Sequence, residues 1–198
     1  MIPKYDVIVM DPPWKYGSMQ QLSKHVHEHY LTQSMKTMMA WDIQKMCKPT
    51  TMLYMWTTGP KMMDAQRLFQ AWGFEYKTVA FVWDKERILP GRYSMSQIEY
   101  VLVAYNRGQG KTKMPKPINY QQFQLIREKR GAHSAKPETL QDRIELQWGP
   151  DVSYCEVFAR RFRKGWDCIG NEINGTLEDF LEGKSMPLQA VRSVQTNC

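Results

Sequence analysis

Asp11-Pro12-Pro13-Trp14 brings together the residue types needed to handle an aromatic exocyclic amine. Such an amine, adenine's for instance, is a poor nucleophile because its lone pair is delocalised into the ring. A carboxylate at Asp11 can accept one N–H and draw the nitrogen toward a tetrahedral shape. A backbone carbonyl can accept the other. Proline suits that role because it fixes φ near about −65° and offers a carbonyl with no competing N–H. Two prolines in series hold the carbonyl still, which is preorganisation. Trp14 adds a flat face on which a base can stack, worth about 1–3 kcal/mol. The plainer alternative is a proline turn at a strand end, with Trp14 in the core.

The surrounding pattern says where these residues sit. Tyr5 to Met10 is an apolar strand-like run ending at Asp11, and in an open parallel sheet ligands bind beyond the carboxyl ends of the strands. A second strand covers Thr51 to Trp56. Lys61 to Trp72 reads as a helix with Met62, Ala65, Phe69 and Trp72 on one face and Gly73 as its stop. Strands follow at Tyr76 to Trp83 and Gln97 to Tyr105. Pro137 fits the first turn of a helix carrying Leu140, Ile144 and Trp148. Further strands are expected at Cys155 to Ala159 and Trp166 to Ile169, and Thr176 with Asp179 caps a short helix through Leu181. The alternation predicts a Rossmann-like α/β fold: a mostly parallel sheet with an antiparallel edge hairpin and helices on both faces. Residues 1–183 form one domain in this reading, residues 184–198 a polar tail, and 107–131 a long loop.

The net charge of +7 is unevenly placed. Arg107, Lys111, Lys113, Lys116, Arg127, Lys129, Arg130 and Lys136 face one acid, Glu128, so that window alone carries the net charge of the whole chain. This favours a phosphate backbone as partner, with Lys111, Lys113 and Lys116 as candidate contacts; a solvated loop is the plain alternative. No apolar run is long enough to span a bilayer, the N-terminal residues do not read as a signal peptide, and the cysteines form no C-x-x-C pair. The expectation is a soluble, cytoplasmic monomer or homodimer with reduced thiols. His25-x-His27-x-His29 lacks the further ligands of a metal site, so no metal is expected. There is no G-x-G-x-x-G fingerprint of a nicotinamide or flavin enzyme.

Taken in order, several motifs resemble the family of N6-adenine methyltransferases that includes the catalytic subunit of the eukaryotic messenger-RNA adenosine methyltransferase and many bacterial and phage DNA adenine methyltransferases. They are Asp11-Pro12-Pro13-Trp14, His29-Tyr30-x-Thr32, Trp56-x-x-x-Pro60, Trp72-Gly73-Phe74-x-Tyr76, Trp83-x-Lys85, His133-Ser134-x-Lys136-Pro137, Phe158-Ala159-Arg160, Gly165-Trp166 and Gly170-Asn171-Glu172. The resemblance implies transfer of a methyl group from S-adenosylmethionine to the N6 amine of adenine in nucleic acid. It implies catalytic roles for Asp11, Pro12, Pro13 and Trp14, and a place for Asp11 near the cofactor's amino group. Lys136 would pair with the methionine carboxylate. Phe158 and Arg160 would line the cofactor's ribose and adenine, and Asn171 and Glu172 would bond the ribose hydroxyls or the adenine. Tyr30 and Glu99 resemble positions bordering the methyl group. DNA is favoured over RNA because the chain lacks the zinc-finger and helical additions of the messenger-RNA enzymes. Recognition then falls to residues 15–30 and 84–131, with base flipping or a single-stranded substrate. The alternatives are an RNA enzyme, or an inactive nucleic-acid-binding scaffold subunit; members of the latter kind lose the Asp-Pro-Pro-Trp loop, which this chain keeps. Arg160, Arg161, Arg163 and Lys164 also admit a second reading, as a phosphate-contacting cluster.

Overall fold

A computed structural model describes residues 1–16, 32–90, 93–107, 114–120, 122–129, 131 and 135–189. The apolar run Tyr5–Met10 forms β1, buried over almost its whole length. It lies mid-sheet because its side chains are apolar on both faces, as a strand covered on both sides requires. β2 is Cys47–Thr57, β3 Phe74–Leu89, β4 Ser96–Asn106, β5 Leu125–Arg127, β6 Tyr154–Val157, β7 Trp166–Ile169 and β8 Leu188–Gln189. They form one sheet in the order β5-β3-β4-β2-β1-β6-β7-β8. β1 pairs in parallel with β2 and with β6, and β6 with β7; β4 runs antiparallel to β2 and β3, and β8 antiparallel to β7.

Helices cover both faces. Helix α1 (Met35–Met39), α2 (Met62–Ala71) and α4 (Leu177–Leu181) belong to one face, where Ile8, Met10, Leu53 and Met55 meet Met38, Leu68, Phe69 and Phe180. Helix α3 (Thr139–Trp148) covers the other, laying Leu140, Ile144 and Trp148 on Val7, Val9, Tyr54 and Trp56. The ends follow local rules. Ser34 and Thr176 cap their helices by accepting from the backbone N–H of Thr37 and Asp179. Gly73 leaves α2 at φ 77°, in the left-handed region. No helix among the described residues is long and apolar enough to cross a membrane.

The α/β architecture with helices on both faces is the expected one, with three differences. The antiparallel pair β3–β4 is not the sheet's edge, because β5 adds outside it in parallel with β3. β5 lies in what reads as loop, since three residues carry too little periodicity to be seen. It is held from outside: Trp83 Nε1 donates to the Glu128 carbonyl at 2.8 Å, and Arg143 reaches the Leu125 carbonyl at 2.9 Å. Likewise Leu188–Gln189, past the expected end of ordered structure, pairs with Asp167 and Cys168. Within 84–131, β3 continues past its expected end at Trp83 to Leu89, while the strand expected at Gln97 to Tyr105 is present as Ser96–Asn106.

Candidate active site

Asp11 follows β1 at the carboxyl edge of the sheet, beside the ends of β2, β6 and β7. Because β4 runs the other way, its beginning lies at the same edge, where Trp83 pairs with Glu99 and Thr57 with Tyr100. The edge therefore gathers residues far apart in sequence. Lys136, just ahead of α3, lies 3.3 Å from Asp11 Oδ2 and donates to Glu99 Oε2 at 2.6 Å. Glu99 Oε1 takes Lys85 Nζ at 3.3 Å. Lys85, Glu99, Lys136 and Asp11 thus form a row of alternating charge that is largely out of water. The Lys136 ammonium also lies 5.1 Å from the centre of the Trp56 ring, a cation–π contact.

The charges set each other's ionisation. Burial pushes the Asp11 carboxyl up and Glu99 adds to that; Lys136 and Arg160 oppose it, and the net direction is upward. Burial also pushes on Glu99, but Lys136 and Lys85 outweigh it and hold its carboxyl below the ordinary range. Burial would lower Lys136, and the charges of Asp11 and Glu99 reverse this and raise it. Lys136 is therefore neither solvated nor a surface charge, and the basic window loses it as a phosphate contact.

The loop itself is tied down. The Pro12 carbonyl accepts from Trp14 N at 2.7 Å and the Pro13 carbonyl from Gln33 N at 3.0 Å. Each carbonyl keeps a second lone pair. Trp14 is 7% exposed, packs with the core beneath the loop and donates its indole N–H to the Trp56 carbonyl at 3.2 Å. It anchors the loop to β2 rather than presenting an open stacking face, because its ring is enclosed by the same apolar cluster that buries α1 and α2. Tyr16 occupies the more open position: half-buried, hydroxyl 2.9 Å from Thr58 Oγ1, and with Lys61 5.6 Å from its ring centre. It lines a cleft with Lys15, Gln33, Ser34, Met35, Met38 and Lys61.

The ends of β6 and β7 form the other half of the edge. β6 stops at Val157 because Phe158 takes φ 62°, which breaks the expected run to Ala159 and turns its ring onto Trp41, 5.5 Å between centres. Ala159 N then donates to the Ile169 carbonyl at 2.9 Å. Gly170 packs so closely there that a Cβ would stand 2.0 Å from the Ala159 carbonyl oxygen. Asn171 and Glu172 follow, exposed. Arg160 is half-buried, with its charge acting on Asp11.

The neighbouring basic residues divide differently from a phosphate-contacting cluster. Arg161 donates to the Lys136 carbonyl at 3.1 Å and pairs with Glu138 at the same distance. Arg163 pairs with Asp142 at 2.6 Å and Glu145 at 2.8 Å. Both are committed to clamping the β6–β7 turn onto α3. Lys164 is exposed.

Lys116 is exposed; Tyr30, Lys111, Lys113 and the histidines at 25, 27 and 29 lie outside the described residues. Among the described residues, no three His, Cys, Asp or Glu side chains cluster as metal ligands. Sequence reasoning missed Lys85, Tyr16 and Arg161 as parts of this edge. For Lys85 a signal existed: Phe81, Trp83 and Lys85 alternate along one strand, which puts the lysine on the buried face.

A parallel-centred sheet with Asp-Pro-Pro-Trp beyond its middle strand, and glycine-tight turns beside it, defines a Rossmann-like methyltransferase class. The chain belongs to the MT-A70 family, whose profile matches residues 5–172. It is 39% identical over 188 residues to the type II methyltransferase M.MunI of a Mycoplasma species, covering 86% of this chain and 78% of that protein. It is 29% identical over 189 residues to the human N(6)-adenine-specific methyltransferase METTL4, covering 85% of this chain but 37% of that longer protein.

Proposed function

We propose that this chain transfers the methyl group of S-adenosylmethionine to the N6 amine of adenine in DNA. The observation that carries the reading is Asp11: a carboxylate beyond the central strand, paired with the Lys136 ammonium and followed in the chain by two proline carbonyls that are each hydrogen-bonded in place. Both relatives support it, one by its name as a type II methyltransferase, the other as adenine-specific.

The residues at the edge fit the methyl donor. An ammonium has three N–H groups; Lys136 spends two directions on Glu99 and Asp11 and keeps a third for a carboxylate. Asn171 and Glu172 offer exposed polar groups past β7, and Phe158 a ring past β6, where a ribose and an adenine would lie. When bound, the cofactor supplies an electrophilic methyl group on a sulfonium.

The protein's part is positional. Asp11 accepts one N–H of the target amine, and a proline carbonyl the other through its free lone pair. The upward push on the Asp11 carboxyl makes it a stronger acceptor when ionised. With Trp14 packed beneath the loop, Tyr16 is the aromatic on the cleft and the better platform for a flipped base. Exposed Lys116, with Lys111 and Lys113, would meet phosphates. We infer one catalytic domain that includes β8, working as a monomer or homodimer in the cytoplasm.

Incubation with labelled S-adenosylmethionine and duplex DNA, single-stranded DNA or RNA tests the reading. Label should appear on N6 of adenine in DNA; transfer to RNA alone would move the substrate, and transfer to no adenine-containing polymer would overturn the assignment.

A further inference from the structure

Lys85 is a buried ammonium with no contact to the target amine or the methyl donor in the reaction proposed for Asp11. It is 4% exposed and lies on the strand face that carries Phe81 and Trp83, where another apolar side chain would be the simpler filling. A lysine so enclosed is costly unless paired. Its partner is Glu99 Oε1, while Glu99's other oxygen takes Lys136. The backbone is shaped for this contact. The β3–β4 register shifts just past the Asp84–Ile98 pair, and Glu86 stands at φ 47°. Bulges of this kind re-aim side chains beside sites. Asp84 secures the irregularity by accepting from Gln97 Nε2 at 2.7 Å and from Glu86 N at 2.9 Å.

We propose that Lys85 is a positioning residue for methyl transfer: it clamps Glu99 so that the second carboxylate oxygen holds Lys136 against Asp11. The proposal rests on the adenine methyltransferase reading. Two lysines and two carboxylates alternate in the row, so it is neutral as a whole. Without the Lys85 charge, Glu99 and Asp11 share one ammonium in a dry site, and one of them is driven to take a proton. Glu99 also becomes free to turn about its side-chain bonds, and Lys136 loses its fixed position over Trp56. Among the described residues, the charged and titratable groups facing Glu99 are Lys85 from β3, Lys136 ahead of α3, Asp11 after β1 and Tyr16 after the catalytic loop.

The test compares Lys85→Met with Lys85→Arg, each in the wild-type and Glu99→Gln backgrounds, with Lys85→Gln replacing Lys85→Met if the latter does not fold by circular dichroism. Lys85→Met should lower kcat on adenine-containing DNA by about 10- to 100-fold, with KM changed by less than about threefold. The acid limb of its kcat–pH profile should move up by about one unit, because a cation that favours the Glu99 carboxylate is gone. Lys85→Arg should restore most of the rate. In the Glu99→Gln background Lys85→Met should add less than about twofold, since both act through one carboxylate. Equal losses in both backgrounds, or an unmoved acid limb, overturn the proposal. Carboxyl carbon-13 NMR of Glu99 needs no substrate: Lys85→Met should raise its titration midpoint, and an unchanged midpoint overturns the clamp. An inactive wild-type chain would instead sink the adenine methyltransferase reading, leaving the NMR titration to decide the clamp separately.

Discussion

The two halves of the sheet edge differ in how finished they are. On the β1–β4 side the buried charges already have their opposites: Asp11, Lys136, Glu99 and Lys85 are joined end to end, and the loop carbonyls and the Trp14 indole are bonded. On the β6–β7 side, Phe158 and Arg160 are half-buried and Asn171 and Glu172 face solvent. A group that must polarise a weak nucleophile gains from being fixed beforehand, since reorganising it during the reaction would cost rate. A surface that must admit and release a large cofactor gains from standing open. The contrast suits a rigid acceptor side and an accessible donor side.

The comparison can be broken most severely at Asp11. Asp11→Ala should reduce transfer by at least about a thousandfold, the scale of losing a preorganised electrostatic group. Cofactor affinity, measured by calorimetry, should fall by no more than about tenfold. Substantial residual transfer would place the chemistry elsewhere.

The donor side is reached through Gly170. In Gly170→Ala the new Cβ meets the Ala159 carbonyl oxygen at 2.0 Å, so the turn must shift. Thermal melts should show a loss of about 1–3 kcal/mol, the usual cost of overpacking. The displaced Asn171 and Glu172 should weaken cofactor affinity by about tenfold, while the rate at saturating cofactor stays near wild type. A lower rate with unchanged affinity would mean that the two sides are not separable.

The mildest change concerns neither side. Lys116→Ala should leave rate and cofactor affinity alone and reduce the steepness of the log–log salt dependence of DNA binding by about one, the share of a single phosphate contact. An unchanged slope would make Lys116 a plain solvated residue.

The legible parts were those written in contiguous residues. Tyr5–Met10 announced both a strand and, through Asp11, the site at its end. Leu140, Ile144 and Trp148 announced α3, which starts two residues after the expected proline, at Thr139. The short strands β5 and β8 were not legible, because their place is decided by Trp83, Arg143 and β7 rather than by their own side chains. The ion row was legible only in part. Asp11, Glu99 and Lys136 carried motif signals, but their mutual pairing depends on β4 running backwards. Lys85 stands in the Trp83-x-Lys85 motif, but its pairing with Glu99 was not legible because it depends on the β3–β4 register and the irregularity after Asp84. Phe158 offered no warning of its left-handed backbone, an uncommon state for an aromatic residue.

The place of β1 between β2 and β6 also has a consequence for how the molecule is made. Its partner β2 emerges from the ribosome soon after it, but β6 comes only when most of the domain has been synthesised. Contacts that join such distant segments form late and slowly. The nascent chain therefore carries its Asp-Pro-Pro-Trp loop for most of synthesis with one flank open. The hydrogen bond from Asp11 N to the Val157 carbonyl, at 3.5 Å, becomes possible only once β6 has been made. Maturation of the loop is thus coupled to synthesis of β6, and its second flank cannot close before the segment that carries Val157 exists.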